Sequence, residues 1–127
     1  MTERPVLLVE DDRDIREILA EALENEGLTV VTAGNGLEAL RLVRSLPLRP
    51  SVILLDLMMP VLDGYGFLDE RQRDSAIASI PVAIVTAAHE VDRGRLGPDT
   101  RIVPKPIDVP RLMSVIDELR SRSEVPG

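Results

Sequence analysis

Short apolar runs alternate along the chain with longer segments in which apolar residues recur at helical spacing. Pro5–Val9, Leu28–Thr32, Val52–Asp56, Pro81–Val85 and Arg101–Val103 read as strands. In Asp12–Glu26, residues Ile15, Ile18, Leu19, Ala22 and Leu23 fall on one helical face, and Gly27 is a natural stop. A second helix is predicted from about Gly36 to Ser45, with Asn35 as N-cap and Glu38 as its capping partner. A third begins near Gly66 and fades before Ile80-Pro81. The last starts after Asp108 and carries Leu112, Val115, Ile116 and Leu119 on one stripe. Between strands four and five, His89–Leu96 has room for about two turns of helix. Gly94, Gly97 and Pro98 crowd it, so a short or irregular element is expected there.

Strands alternating with helices imply a parallel sheet with right-handed crossovers. The first, third and fourth strands are almost continuously apolar, as strands buried on both faces should be. Five such units in a chain of 127 residues predict an α/β, doubly wound sheet in the flavodoxin-like order 2-1-3-4-5. No internal repeat or linker divides it, so residues 1–127 are expected to form one domain with no effector domain.

Composition narrows the chemistry. Cysteine is absent and His89 is the only histidine, which excludes disulfides, thiol chemistry and His- or Cys-based zinc sites within one chain. The net charge is −7 and Tyr65 and Phe67 are the only aromatics. Both argue against a nucleic-acid partner, which calls for basic charge and stacking platforms. No apolar run approaches the roughly 18 residues of a membrane span. Val6–Val9 is too short for a signal-peptide core, so no membrane and a cytoplasmic location are expected. Fourteen arginines accompany a single lysine, Lys105.

In a parallel sheet the carboxyl ends of all strands share one edge, where ligands bind. The first strand ends in Glu10-Asp11-Asp12, the third in Asp56, the fourth in Thr86, and the fifth just before Lys105-Pro106. Two or three carboxylates, a hydroxyl and the only lysine should therefore converge. Each has a plain structural reading alone: a helix cap for Asp11 or Asp12, a turn residue for Thr86, a solvated lysine. Their joint placement fits phosphoryl transfer to a carboxylate. Clustered anions repel unless a cation sits among them, and a hard divalent ion with oxygen ligands, Mg²⁺, suits. Asp56 would be the nucleophile, while Thr86 and Lys105 would contact phosphoryl oxygens.

Val6–Asp12, Leu54–Pro60 with Asp63-Gly64, Val85-Thr86-Ala87 and Lys105-Pro106 resemble the response-regulator receiver domain of two-component signalling, over nearly the whole chain. The resemblance implies that Asp56 is the phospho-acceptor, Thr86 the switch hydroxyl and Lys105 the phosphate contact. It assigns the Mg²⁺ ligands to Asp11, Asp12, Asp56 and the backbone carbonyl of Met58, and implies a cis Lys105–Pro106 bond. It also implies a sensor histidine kinase or a histidine phosphotransfer protein as donor, and a downstream protein target. Met58 and Ala88, which flank the phosphate in this family, cannot hold an attacking water, so a long-lived acyl phosphate is expected. Two features depart from the family pattern. Ile102 stands where a Tyr or Phe is usual, and the stretch from Thr86 to Lys105 is short. They imply an output read mainly as ordering of the Ala87–Thr100 loop, rather than through the usual face of fourth helix, fifth strand and fifth helix.

Three rival readings compete. Gly34-Asn35-Gly36-Leu37-Glu38-Ala39 matches a dinucleotide-binding pattern, but follows an edge strand rather than the switch point. A haloacid-dehalogenase-type phosphatase would need a second carboxylate where Met58 stands. A phosphorylation-independent interaction module could use the same fold without the acidic cluster.

Overall fold

The three central strands are short and almost wholly apolar because both of their faces are covered. A computed structural model describes residues 4–87, 91–97 and 100–124, with side chains to 122. Chain order is β1 (Val6–Val9), α1 (Arg13–Asn25), β2 (Val30–Ala33), α2 (Gly36–Ser45), β3 (Val52–Leu55), α3 (Gly64–Gln72), β4 (Val82–Thr86), α4 (Arg93–Leu96), β5 (Arg101–Pro104) and α5 (Val109–Glu124). The five strands pair in parallel in the order β2-β1-β3-β4-β5, as the sequence predicts.

Alternate strand residues serve two separate cores. Leu7, Val9, Ile53, Leu55 and Ile84 face α2 and α3, meeting Leu40, Val43, Phe67 and, from α4, Leu96. Val6, Leu8, Val52, Leu54, Ala83 and Val85 face α1 and α5, meeting Leu19, Leu23, Leu112 and Ile116. Burying each large aliphatic side chain favours folding by about 1.5–3 kcal/mol. That term holds the sheet while its carboxyl edge is given over to polar groups.

Some boundaries move for local reasons. α1 ends in a Schellman turn: Gly27 has φ 92°, its amide donates to Glu24 O, and the Leu28 amide donates to Leu23 O. Leu28 therefore belongs to the turn, and β2 begins at Val30. α3 begins at Gly64, two residues before the expected start, because Asp63 caps it by accepting from Gly66 N at 2.8 Å. α4 is a single turn, the short element expected. Asn35 caps α2 as predicted, but the Glu38 carboxylate accepts from Gly34 N rather than from the capping residue. Gly36 donates to Leu62 O at 3.0 Å, and a Cβ there would stand 2.4 Å from that oxygen. Close packing thus accounts for that glycine in the dinucleotide-like pattern.

Candidate functional site

The site forms where β1, β3, β4 and β5 end together. Asp56 follows β3; its amide donates to Val9 O of β1 at 3.1 Å, and its carboxylate is almost wholly buried. Oδ1 accepts from the Met58 amide at 3.1 Å and Oδ2 from Lys105 Nζ at 3.0 Å. Gly64 permits this packing: a Cβ there would lie 2.6 Å from Asp56 O and 2.7 Å from Leu57 Cα. Thr86, the last residue of β4, is buried, and its carbonyl accepts from Lys105 N at 2.9 Å. The Lys105–Pro106 peptide is cis, as the resemblance implies.

The three acids after β1 divide their work differently from expectation. Asp12 Oδ1 caps α1, accepting from Ile15 N at 3.1 Å. Glu10 is buried, its Oε1 2.5 Å from Lys105 Nζ and its Oε2 accepting from Asp12 N at 3.2 Å. Among the described residues, Glu10, Asp11 and Asp56 form the acidic group whose oxygens lie within 4.8 Å of one another. Asp12 is not in it. Arg16 Nη1 donates to Glu10 O at 2.9 Å and fixes the loop that presents them. Glu10 is thus the residue that sequence reasoning left without a role.

Burial raises the Glu10 carboxyl above the usual carboxylate range, against the pull of Lys105 and of the Asp12 amide. Burial also opposes the charge on Lys105. Hydrogen bonds to Glu10 and Asp56 outweigh it and hold the ammonium above its ordinary pKa, so Lys105 is a fixed cation of the site. The cluster is buried at Asp56 and Glu10 and open to solvent at Asp11. Its all-oxygen, anionic donors suit a hard divalent cation. Met58 has an exposed side chain and its amide faces Asp56. Ala88, His89, Glu90, Pro98 and Asp99 lie outside the described residues, and with them the expectations for Ala88 and for much of the Ala87–Thr100 loop.

A family model, the response regulator receiver domain, matches residues 6–117; the chain belongs to that family. It is 38% identical over 126 residues to the transcriptional regulatory protein CpxR homolog of Haemophilus influenzae, covering 96% of this chain and 52% of that protein. It is 35% identical over 123 residues to the response regulator MprA of Mycobacterium ulcerans, covering 94% of this chain and 51% of the relative. The chain spans a third to about half the length of the curated relatives it matches. Among solved structures, the receiver domain of Francisella response regulator 1452 superposes with a TM-score of 0.81 at 29% identity, covering 96% of this chain and all of that one. The receiver domain of a Syntrophus aciditrophicus signal transduction histidine kinase gives 0.82 at 27%, covering 98% and 96%. The chain is therefore a receiver domain of two-component signalling, a family of phosphoryl acceptors that work with histidine kinases. Among the described residues no helix is long and apolar enough to cross a membrane.

Proposed function

We propose that Asp56 accepts a phosphoryl group from a phosphohistidine and that the charged state alters the binding of a partner protein. The observation that carries this is a buried carboxylate with one oxygen on Lys105 and the other on a backbone amide, beside two further acids. An Asp56 oxygen attacks phosphorus, the O–P bond forms, the P–N bond breaks, and the leaving imidazole takes a proton from solvent. Lys105 contributes a compact positive charge that moves from Asp56 Oδ2 to a phosphoryl oxygen. Thr86, at the end of β4, supplies a hydroxyl to a second one. Glu10, Asp11 and Asp56 are the acids we assign to Mg²⁺, with the Met58 carbonyl; Asp12 is committed to its helix. The ion, when bound, offsets the negative charge of acids and phosphate.

The donor's place is supported by an apolar groove of about 300 Å³ bordered by Ile15, Ile18 and Ala22 of α1 and by Lys105, Pro106 and Ile107. Ile18 is 69% exposed there. The groove runs up to Lys105, so a helical phosphohistidine protein seated in it would present its phosphate to Asp56.

Incubation with acetyl phosphate and Mg²⁺, followed by peptide mapping, should place the adduct on Asp56. Asp56→Asn should abolish it, and labelling that persists would overturn the assignment. Ile18→Glu should slow transfer from a phosphohistidine protein far more than labelling by acetyl phosphate. Equal slowing would remove the donor from that groove.

A further inference from the structure

The carbonyls of Glu10, Asp11 and Asp12 are all approached by one residue of α1. The β1–β2 ladder continues one step past the paired strands, where the Glu10 amide donates to Ala33 O at 3.0 Å. The Glu10 carbonyl then accepts from Arg16 Nη1 at 2.9 Å, so a side chain takes over from the ladder where β2 gives way to α2. The same nitrogen lies 3.5 Å from Asp11 O, and the Arg16 amide donates to Asp12 O at 2.9 Å. Arg16 is half-buried and its guanidinium lies over Gly34, where a Cβ would stand 3.4 Å from Nη1.

This anchorage acts on the acids that face Asp56. Glu10, Asp11 and Asp56 bring their oxygens within 4.8 Å of one another, an arrangement that like charges oppose. Lys105 pairs with Glu10 and Asp56, while Asp11 is exposed. Pinned carbonyls keep the backbone from swinging to separate the carboxylates. Arg16 therefore has two opposed effects on a divalent cation at this site. As a positive charge nearby it repels the cation, and its removal would tighten binding. As an anchor for the acids it favours the cation, and its removal would loosen binding. Groups that orient metal ligands from outside the ligand set commonly govern affinity by about ten- to a hundredfold, enough to outweigh a screened repulsion.

We propose that Arg16 is a positioning residue for the cation site, its guanidinium pinning the Glu10 and Asp11 carbonyls so that both carboxylates stay turned towards Asp56. The role rests on the reading of Glu10, Asp11 and Asp56 as the acids of an Mg²⁺-assisted phospho-acceptor.

The test titrates Mg²⁺ into the full ¹⁵N-labelled chain at fixed ionic strength, following the amides of Glu10, Asp11, Asp56 and Met58. Arg16→Met keeps an aliphatic stem and removes the guanidinium. Arg13→Met removes the same charge three residues away, from an exposed side chain paired with Glu17. Arg16→Met should raise the Mg²⁺ dissociation constant about tenfold or more, and Arg13→Met should not. Arg16→Lys keeps the charge but loses the planar fork, and should bind between the parent and Arg16→Met. Thermal midpoints under a chelator show which variants are folded. If Arg16→Met is not, Arg16→Lys carries the test and should still bind Mg²⁺ more weakly than the parent. Parent-like or tighter binding by Arg16→Met, equal loosening by Arg13→Met, parent-like binding by Arg16→Lys, or no Mg²⁺ binding by the parent would each overturn the role. Labelling of the parent by acetyl phosphate is measured on the same samples. A parent that binds Mg²⁺ but leaves Asp56 unlabelled would sink the phospho-acceptor reading and leave the role of Arg16 standing. Labelling at Asp56 together with parent-like affinity in Arg16→Met would do the reverse.

Discussion

Val61 stores strain beside the acceptor. Its φ is 71°, and the flanking Leu62 amide donates to Pro60 O at 2.8 Å, which defines a γ-turn of the rare, strained hand. A β-branched residue is badly suited to that conformation, at a cost of about 1–3 kcal/mol. The turn persists because Leu62 O is engaged by Gly36 N and Asp63 caps α3, so both ends of the loop are held. Val61 is 76% exposed, so replacing it sacrifices little burial. Val61→Asn should therefore stabilise the fold by about 1 kcal/mol, raising the thermal midpoint by about 3–5 °C. A lower midpoint would show the turn unstrained. No sequence signal marks such a turn on valine. The division of labour among the acids after β1 is legible from the helix that follows them. The first helix needs a capping oxygen three residues before a helical amide, and Asp12 before Ile15 supplies it. Once that acid is given to the helix, Glu10 and Asp11 remain for the site. Asp56, Thr86 and Lys105 stand out because each closes or follows a strand on the same edge of the sheet.

At the scale of elements, connections rather than cores depend on arginine. Arg71 of α3 donates twice to Ile80 O, at 3.1 and 2.7 Å, and so ties the helix to the entry of β4. The single turn of α4 is anchored through Tyr65 of α3, whose hydroxyl accepts from Asp92 N at 2.9 Å and whose ring lies 4.5 Å below the Arg95 guanidinium. Arg95 also pairs with Asp69 at 3.1 Å. The pattern of apolar positions predicts where these elements lie, but not these ties, which join residues far apart in sequence. Arg44 of α2 binds Asp74, just past α3, at 3.1 Å, and the Ala76 amide adds a second donor. The Arg44 hydrogen bond, and after it the Ala76 amide, hold the Asp74 carboxyl below its ordinary value of 3.8. A carboxyl depressed on folding stabilises the protein above its unfolded pKa. That contribution fades as pH falls through the lower, folded value. Titration of the Asp74 carboxyl carbon by NMR should give a midpoint under 3.8, moving up towards it in Arg44→Met. An unmoved midpoint would show that the pair does not form in solution. Because both groups are partly exposed at the surface, the effect on stability should be small.

For the molecule as a whole, the interior and the functional edge pull in opposite directions. Alternation of βα units and the nearly continuous apolar runs of β1, β3 and β4 make the sheet, its order and its active edge legible in the sequence. The rotation of successive side chains past a strand end was not readable, since it follows from the cap and turn that come next. The two cores supply stability without help from the edge. At the edge, Glu10, Asp11 and Asp56 bring their oxygens within 4.8 Å, and among the described residues the Lys105 ammonium pairs with Glu10 and Asp56. Asp11 is left facing its neighbours' negative charge with no cation of its own among the described residues. Such an arrangement favours ligand binding at the expense of the ligand-free fold. Asp11→Asn should therefore stabilise the chain in the presence of a chelator, by about 0.5–1 kcal/mol given Asp11's exposure. Mg²⁺ should stabilise the unaltered protein by mass action, by about 2.7 kcal/mol at a hundred times its dissociation constant. The variant should lose most of that gain, so the two melting curves cross in order as Mg²⁺ is added. A variant less stable than the parent under chelation would mean that Asp11 is a structural group. A full Mg²⁺ response in the variant would move the cation to other ligands.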